Sequence, residues 1–274
     1  MEKMLNSIDR RYIYILLVLV VLYPLIKPIG MPITISSWTE TFYQEVEKLQ
    51  AGDIVVLAID YTPSGGPDVH PQAVALFDHL MKKNVKVIGI SFVDTGPPQL
   101  QQIYDPYMEG RGKEYGKDFV NLGFLPGLET AISAFAADLS RAAPMDFFNN
   151  PSASMPIMQG VKDMNDVAML ADFATGVPGP AEFVRQIGST YKNTVLVCGV
   201  VTVMGPQSEP YLQSGQIKGL LSGLRSAAEY EVRSGTPGKA AAGMDAQSLG
   251  HIVIIVAMGL GNLAYFLGRK GGAK

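Results

Sequence analysis

The stretch DIVVLAIDY, Asp53 to Tyr61, decides the reading of the fold. It is a short, unbroken apolar run rich in Val and Ile, the pattern of a strand buried on both faces in a parallel sheet. Upstream, a helix opens at Ser37, with Glu40 three residues later in a capping-box pattern. Phe42, Val46 and Leu49 share one face of it, and Gly52 ends it. Downstream comes a polar loop, TPSGGPDVH, then a helix over Pro71 to Lys83 with Val74, Phe77 and Met81 on one side. The run KVIGISF, Lys86 to Phe92, is a second strand.

The alternation continues. Pro97 to Met108 reads as a helix, Glu109 to Lys117 as a charged loop and Asp118 to Phe124 as a strand. Leu128 to Arg141 reads as a helix and Ala143 to Asp163 as mostly loop. Val167 to Ala174 is a strand, Pro180 to Ile187 a helix, and TVLVCGVVTV, Thr194 to Val203, the strongest strand of the chain. Pro210 to Arg233 reads as one long helix carrying Gly215, Gly219 and Gly223 on one face. Three interior glycines in register suggest a close partner surface, because each costs about 1 kcal/mol relative to Ala in a helix. Strands alternating with helices imply right-handed crossovers. The expectation is a Rossmann-like three-layer α/β domain over residues 36–233, with a mainly parallel sheet of about five strands.

The chain of 274 residues has 17% charged and 47% hydrophobic residues and a mean hydropathy of +0.17. The excess apolarity lies at the ends. Tyr12 to Ile26 carries no charge, and apolar character resumes after Lys27 as far as Ile35. Leu249 to Gly268 forms a second apolar run. A membrane helix needs about 20 mostly apolar residues, so two transmembrane helices are expected, over 12–35 and 249–268, with residues 234–248 as a linker. Lys3, Arg10 and Arg11 precede the first, and Arg269, Lys270 and Lys274 follow the second. The positive-inside rule then places the termini, 1–11 and 269–274, in the cytoplasm and the α/β domain outside it. In the second run Ala257, Gly261, Ala264 and Gly268 form a small-residue stripe suited to helix packing. The expected partners are the lipid bilayer and either a second copy or another membrane protein. The net charge of −3 argues against nucleic acid.

In parallel sheets ligands bind beyond the carboxyl ends of the strands. The loops expected there supply the ligand-binding candidates Asp60, Asp68, Asp94, Thr95, Asp172, Thr175 and Gln207. Asp60, Ser64 and His70 are the catalytic candidates, the types from which a serine triad is built. The strand–PSGG–helix unit, with Pro63, Ser64, Gly65 and Gly66, resembles the glycine-bearing loop of signal-peptide-peptidase A and other Clp-like serine peptidases. The resemblance implies peptidase chemistry, but it covers that unit alone, and no later helix offers a convincing serine nucleophile with small neighbours. No GxxxxGK[ST] loop, no GxGxxG after the first strand and no GxSxG elbow is present. Neither a cofactor nor a metal is expected. The single Cys198 sits mid-strand and reads as a small core residue. The functional expectation is a membrane-anchored binding or assembly subunit. The alternative is a membrane-anchored hydrolase, peptidase-like or metal-dependent, working from the strand-end loops.

Overall fold

A computed structural model describes residues 10–271. The chain divides into two compact units: Ile33–Thr236, and the two chain ends up to Pro32 and from Pro237.

The unit Ile33–Thr236 is an α/β domain built on a six-stranded sheet, every pairing parallel, in the order β3-β2-β1-β4-β5-β6. The strands are β1 (Ile54–Asp60), β2 (Lys86–Ser91), β3 (Phe119–Phe124), β4 (Met169–Ala174), β5 (Val195–Val200) and β6 (Gly219–Ser222). Side chains alternate between the faces of a strand, and here both faces are covered. Val55, Leu57 and Ile59 of β1 enter a core closed by α2 (Ser37–Glu47), α3 (Gly66–Lys82), α4 (Gly96–Met108) and α9 (Gly223–Arg233), through Phe42, Phe77, Tyr104 and Tyr230. Val56 and Ala58 enter the opposite core. That core is closed by α5 (Glu129–Ala137), α6 (Leu139–Ala142), α7 (Pro180–Phe183) and α8 (Gly205–Gln213). Two-sided burial is why DIVVLAIDY shows no polar alternation.

Three sequence expectations are corrected in this unit. The sheet has six strands, not about five, because the stretch expected as one helix from Pro210 to Arg233 is α8, β6 and α9 in succession. Gly215 at φ +73° and Gly223 at φ +70° occupy the left-handed region that favours glycine, and they interrupt the helix on either side of β6. Gly219 lies within β6, so the three glycines form no stripe. A Cβ on Gly219 would lie 2.6 Å from the Cα of Phe42, so this glycine lets α2 close over the edge strand. The third correction concerns the cap of α2. It is Ser36, whose Oγ accepts from the Thr39 N–H at 3.3 Å. The Glu40 carboxylate is instead paired with Arg233, at 2.8 and 3.1 Å.

The chain ends form the second unit. α1 (Arg10–Ile26) is an apolar helix of 17 residues, about 25 Å at 1.5 Å per residue. It stops before Lys27, and residues 28–36 are not helical. The expected span over 12–35 is therefore not a continuous helix. Among the described residues only one helix segment, Lys239–Leu263, is long and apolar enough to cross a membrane. It belongs to α10 (Lys239–Gly271), which already includes residues 239–248 of the expected linker. α1 and α10 pack together: a Cβ on Gly250 would lie 3.6 Å from Val21 Cγ2. The backbone N–H groups of Ile29, Gly30 and Met31 all donate to the Asp245 carboxylate, at 2.8, 2.8 and 2.9 Å. Ala257 is half-buried, and nothing lies within 4 Å of a Cβ built on Gly261. Lys3 and Lys274 lie outside the described residues, as do the side chains of Ala264, Gly268, Arg269 and Lys270.

Candidate ligand site at the strand ends

Four turns at the carboxyl edge of the sheet carry Gly-Pro: Gly66-Pro67, Gly96-Pro97, Gly179-Pro180 and Gly205-Pro206. Proline in the first helical turn lacks only an N–H that has no intrahelical acceptor, and its φ is preset for the helix. Two of the glycines hold the helix start against the sheet. A Cβ on Gly96 would overlap Ser91 Oγ and the Ile59 carbonyl, and one on Gly205 would overlap Ser222 Oγ.

The strand order reverses between β1 and β4, the point where open α/β sheets usually leave a ligand crevice. Here the chain closes it. The Thr62 N–H donates to Thr175 Oγ1 at 3.2 Å, and Thr175 Cγ2 fills the place of a Cβ on Gly65. Asp68 Oδ2 accepts from the N–H and hydroxyl of Thr202, at 3.3 and 3.0 Å. The loop after β1 is thus tied to the loops after β4 and β5, and Asp68 serves as a tie between loops.

Ser64 and His70 do not form a Ser–His pair. α3 begins at Gly66, not at Pro71, which places Ser64 in the preceding turn and His70 on the helix. Ser64 Oγ bonds Thr62 Oγ1 at 2.8 Å, and His70 Nδ1 bonds the Tyr61 hydroxyl at 2.7 Å. The Asp60 carboxylate is buried and accepts from the Phe92 N–H. Asp94 is exposed on the loop after β2, and Thr95 Oγ1 donates to the Tyr61 carbonyl at 3.4 Å.

A cavity of about 390 Å³ opens beyond β4 and β5. Its polar lining is Thr175, Glu182, Gln207, Ser208 and Tyr211, with Met204 among the apolar groups. Thr175 and Gln207 were expected at a ligand site. Glu182 and Tyr211 lie on helices after the strands, outside the expected set. The Gly-Pro helix starts just before them are the signal in the sequence. Glu182 accepts from the Gly179 N–H at 3.0 Å and from Arg185 at 2.6 Å. The Ser208 hydroxyl donates to the Met204 carbonyl at 2.9 Å. No Lys, Arg or His lines the cavity.

Asp60 and Asp172 lie beneath these loops, 2% and 0% exposed. Asp60 Oδ1 accepts from the Phe92 N–H at 2.6 Å, and the Ser91 hydroxyl lies 3.3 Å from the same oxygen. Asp60 Oδ2 and both oxygens of Asp172 have no hydrogen-bond partner. Burial pushes the Asp60 carboxyl up to about 7, against the lowering effect of the Phe92 and Ser91 bonds. Burial also holds Asp172 well above the ordinary carboxylate range, and the charges of Asp60 and Glu182 add to the rise. Cys198, the register partner of Asp172, is buried, and burial raises its thiol, as suits a core residue. Among the described residues no group of three or more His, Cys, Asp or Glu is placed to hold a metal ion. Comparison with protein-family models and with curated proteins returns no match.

Proposed function

We propose that the protein is a membrane-anchored binding subunit whose α/β domain takes a small polar ligand in the cavity beyond β4 and β5. The observation that carries this reading is the cavity itself, at the strand ends of an all-parallel sheet and lined by hydroxyl, amide and carboxylate groups. The absence of a basic lining residue disfavours phosphate and carboxylate ligands. The chemistry fits a neutral polyol or amide, or a small organic cation facing Glu182 and Tyr211.

α10 serves as the anchor. The basic residues Arg269, Lys270 and Lys274 that follow the apolar run in the sequence favour a cytoplasmic carboxyl terminus, with the α/β domain on the other side of the membrane. α1 shares the apolar layer with α10, and the open surface at Gly261 suits a further helix, from a second copy or another membrane protein.

The test is titration of the full-length protein in detergent with small neutral, cationic and anionic compounds, followed by amide chemical shifts and thermal shift. Saturable binding by neutral or cationic compounds, weakened at least tenfold by Gln207→Ala or Tyr211→Ala, is the expected result. Saturable binding of anions alone, or binding unaffected by either substitution, overturns the reading. Protease added to spheroplasts tests the topology: cleavage within 36–236 is expected, and protection of that region sinks the proposed orientation.

A further inference from the structure

Asp60 and Asp172 line no part of the cavity, and their chemistry stands apart from the ligand reading. They lie on adjacent central strands. Ala58 pairs with Asp172 and Asp60 with Ala174, so the two carboxylates are diagonal neighbours on one face of the sheet. Few buried polar atoms in native proteins lack a partner, yet here three of the pair's carboxylate oxygens do. The groups facing the pair do not supply the missing donor. Ser91 and Phe92, at the end of β2, both address Asp60 Oδ1. Cys198 approaches from β5 with a thiol, and Glu182 from α7 with another negative charge. Among the described residues no Lys, Arg or His forms an ion pair with either aspartate.

A carboxylic acid is a donor where a carboxylate is only an acceptor. One proton on Asp172 turns an unpartnered oxygen into a donor and leaves a single negative charge on the pair. Asp60, which already receives the Phe92 N–H, is the better stabilised anion of the two. We propose that Asp60 and Asp172 hold one shared proton at neutral pH and form a proton-sensitive latch across β1 and β4, with Asp172 as the acid and Asp60 as the acceptor. Loss of that proton leaves two like charges side by side in the core, where neither has a counter-ion. The latch lies directly below the Thr62–Thr175 tie, so its ionisation loosens the place where the loops after β1 and β4 are joined.

The sign of the pH effect follows from the direction of the shift. Both groups are raised on folding, Asp60 to about 7. Each contribution is complete below the unfolded carboxylate pKa, about 3.9; that of Asp60 is lost as pH rises through about 7, and that of Asp172, which holds the latch proton, as pH rises through its own raised value.

The full-length protein in detergent is the material for the test. An infrared difference spectrum between wild type and Asp172→Asn at neutral pH is expected to show one protonated carboxyl group that the variant lacks. The thermal midpoint of the wild type should fall by several degrees between about pH 6 and about pH 9, and that slope should flatten in Asp172→Asn and in Asp60→Asn. The infrared titration of the wild type stands on its own if a variant fails to fold. A wild type with no protonated carboxyl at neutral pH, or variants that keep the full pH slope, overturns the proposal.

Discussion

Gly96 leaves no room for a methyl group, because a Cβ there would overlap Ser91 Oγ and the carbonyl of Ile59. Gly96→Ala must displace either α4 or the end of β2, and is expected to cost about 1–3 kcal/mol in urea or guanidinium unfolding. Glu229 works in the opposite sense to Asp60 and Asp172. It is 1% exposed and accepts from the Ser36 N–H and hydroxyl at 3.0 and 2.6 Å, from the Thr39 hydroxyl at 2.7 Å and from Arg225 at 2.9 Å. Burial raises its carboxyl, and these bonds more than reverse the rise, leaving it below the ordinary value. Its contribution is therefore present above the unfolded carboxylate pKa and lost as the pH falls through the folded one. Glu229→Ala should destabilise the domain at neutral pH by about 1.5–3 kcal/mol and lessen its acid sensitivity, read from denaturant midpoints at neutral and acid pH. Asp60 and Asp172 were legible as strand-end aspartates. Their burial was not, because a strand covered on both faces shows no alternation to say which way a side chain points.

α3 starts five residues before the expected Pro71, whereas the boundaries of β1 and β2 follow their sequence signals to within one residue, since long apolar runs are local features. β6 does not, for a physical reason. Its four residues, GLLS, are too few to show a period, and its neighbours on both sides are helical. What makes it a strand is pairing with β5 and the approach of α2 at Gly219, both of which are long-range. Gly219→Ala tests this directly. A side chain meeting the Phe42 backbone pushes α2 away from the sheet edge, so faster amide hydrogen exchange is expected in β6 and α2 before any change in β1 or β2. The cavity was half legible. Thr175 and Gln207 follow strands that the sequence marks clearly, whereas Glu182 and Tyr211 owe their place to how α7 and α8 turn after those strands.

For the molecule as a whole, the low overall charge has two sources: strands enclosed on both sides and the apolar helices of the chain ends. Only the second source is a membrane signal, and of the two end segments only α10 is long enough to act on it. The junction at Asp245 has a consequence for how the chain comes apart. Three consecutive N–H groups from the stretch after α1 converge on one carboxylate of α10, so two segments more than two hundred residues apart in sequence are held as a non-covalent pair. Cleavage of the intervening polypeptide removes the covalent continuity and leaves that junction intact. After limited digestion of the full-length protein in mild detergent, an amino-terminal peptide containing α1 and a carboxy-terminal peptide containing α10 are expected to co-purify, while Asp245→Ala releases the first from the second. In the intact protein, the same carboxylate makes α10 and the stretch after α1 one mechanical fixture.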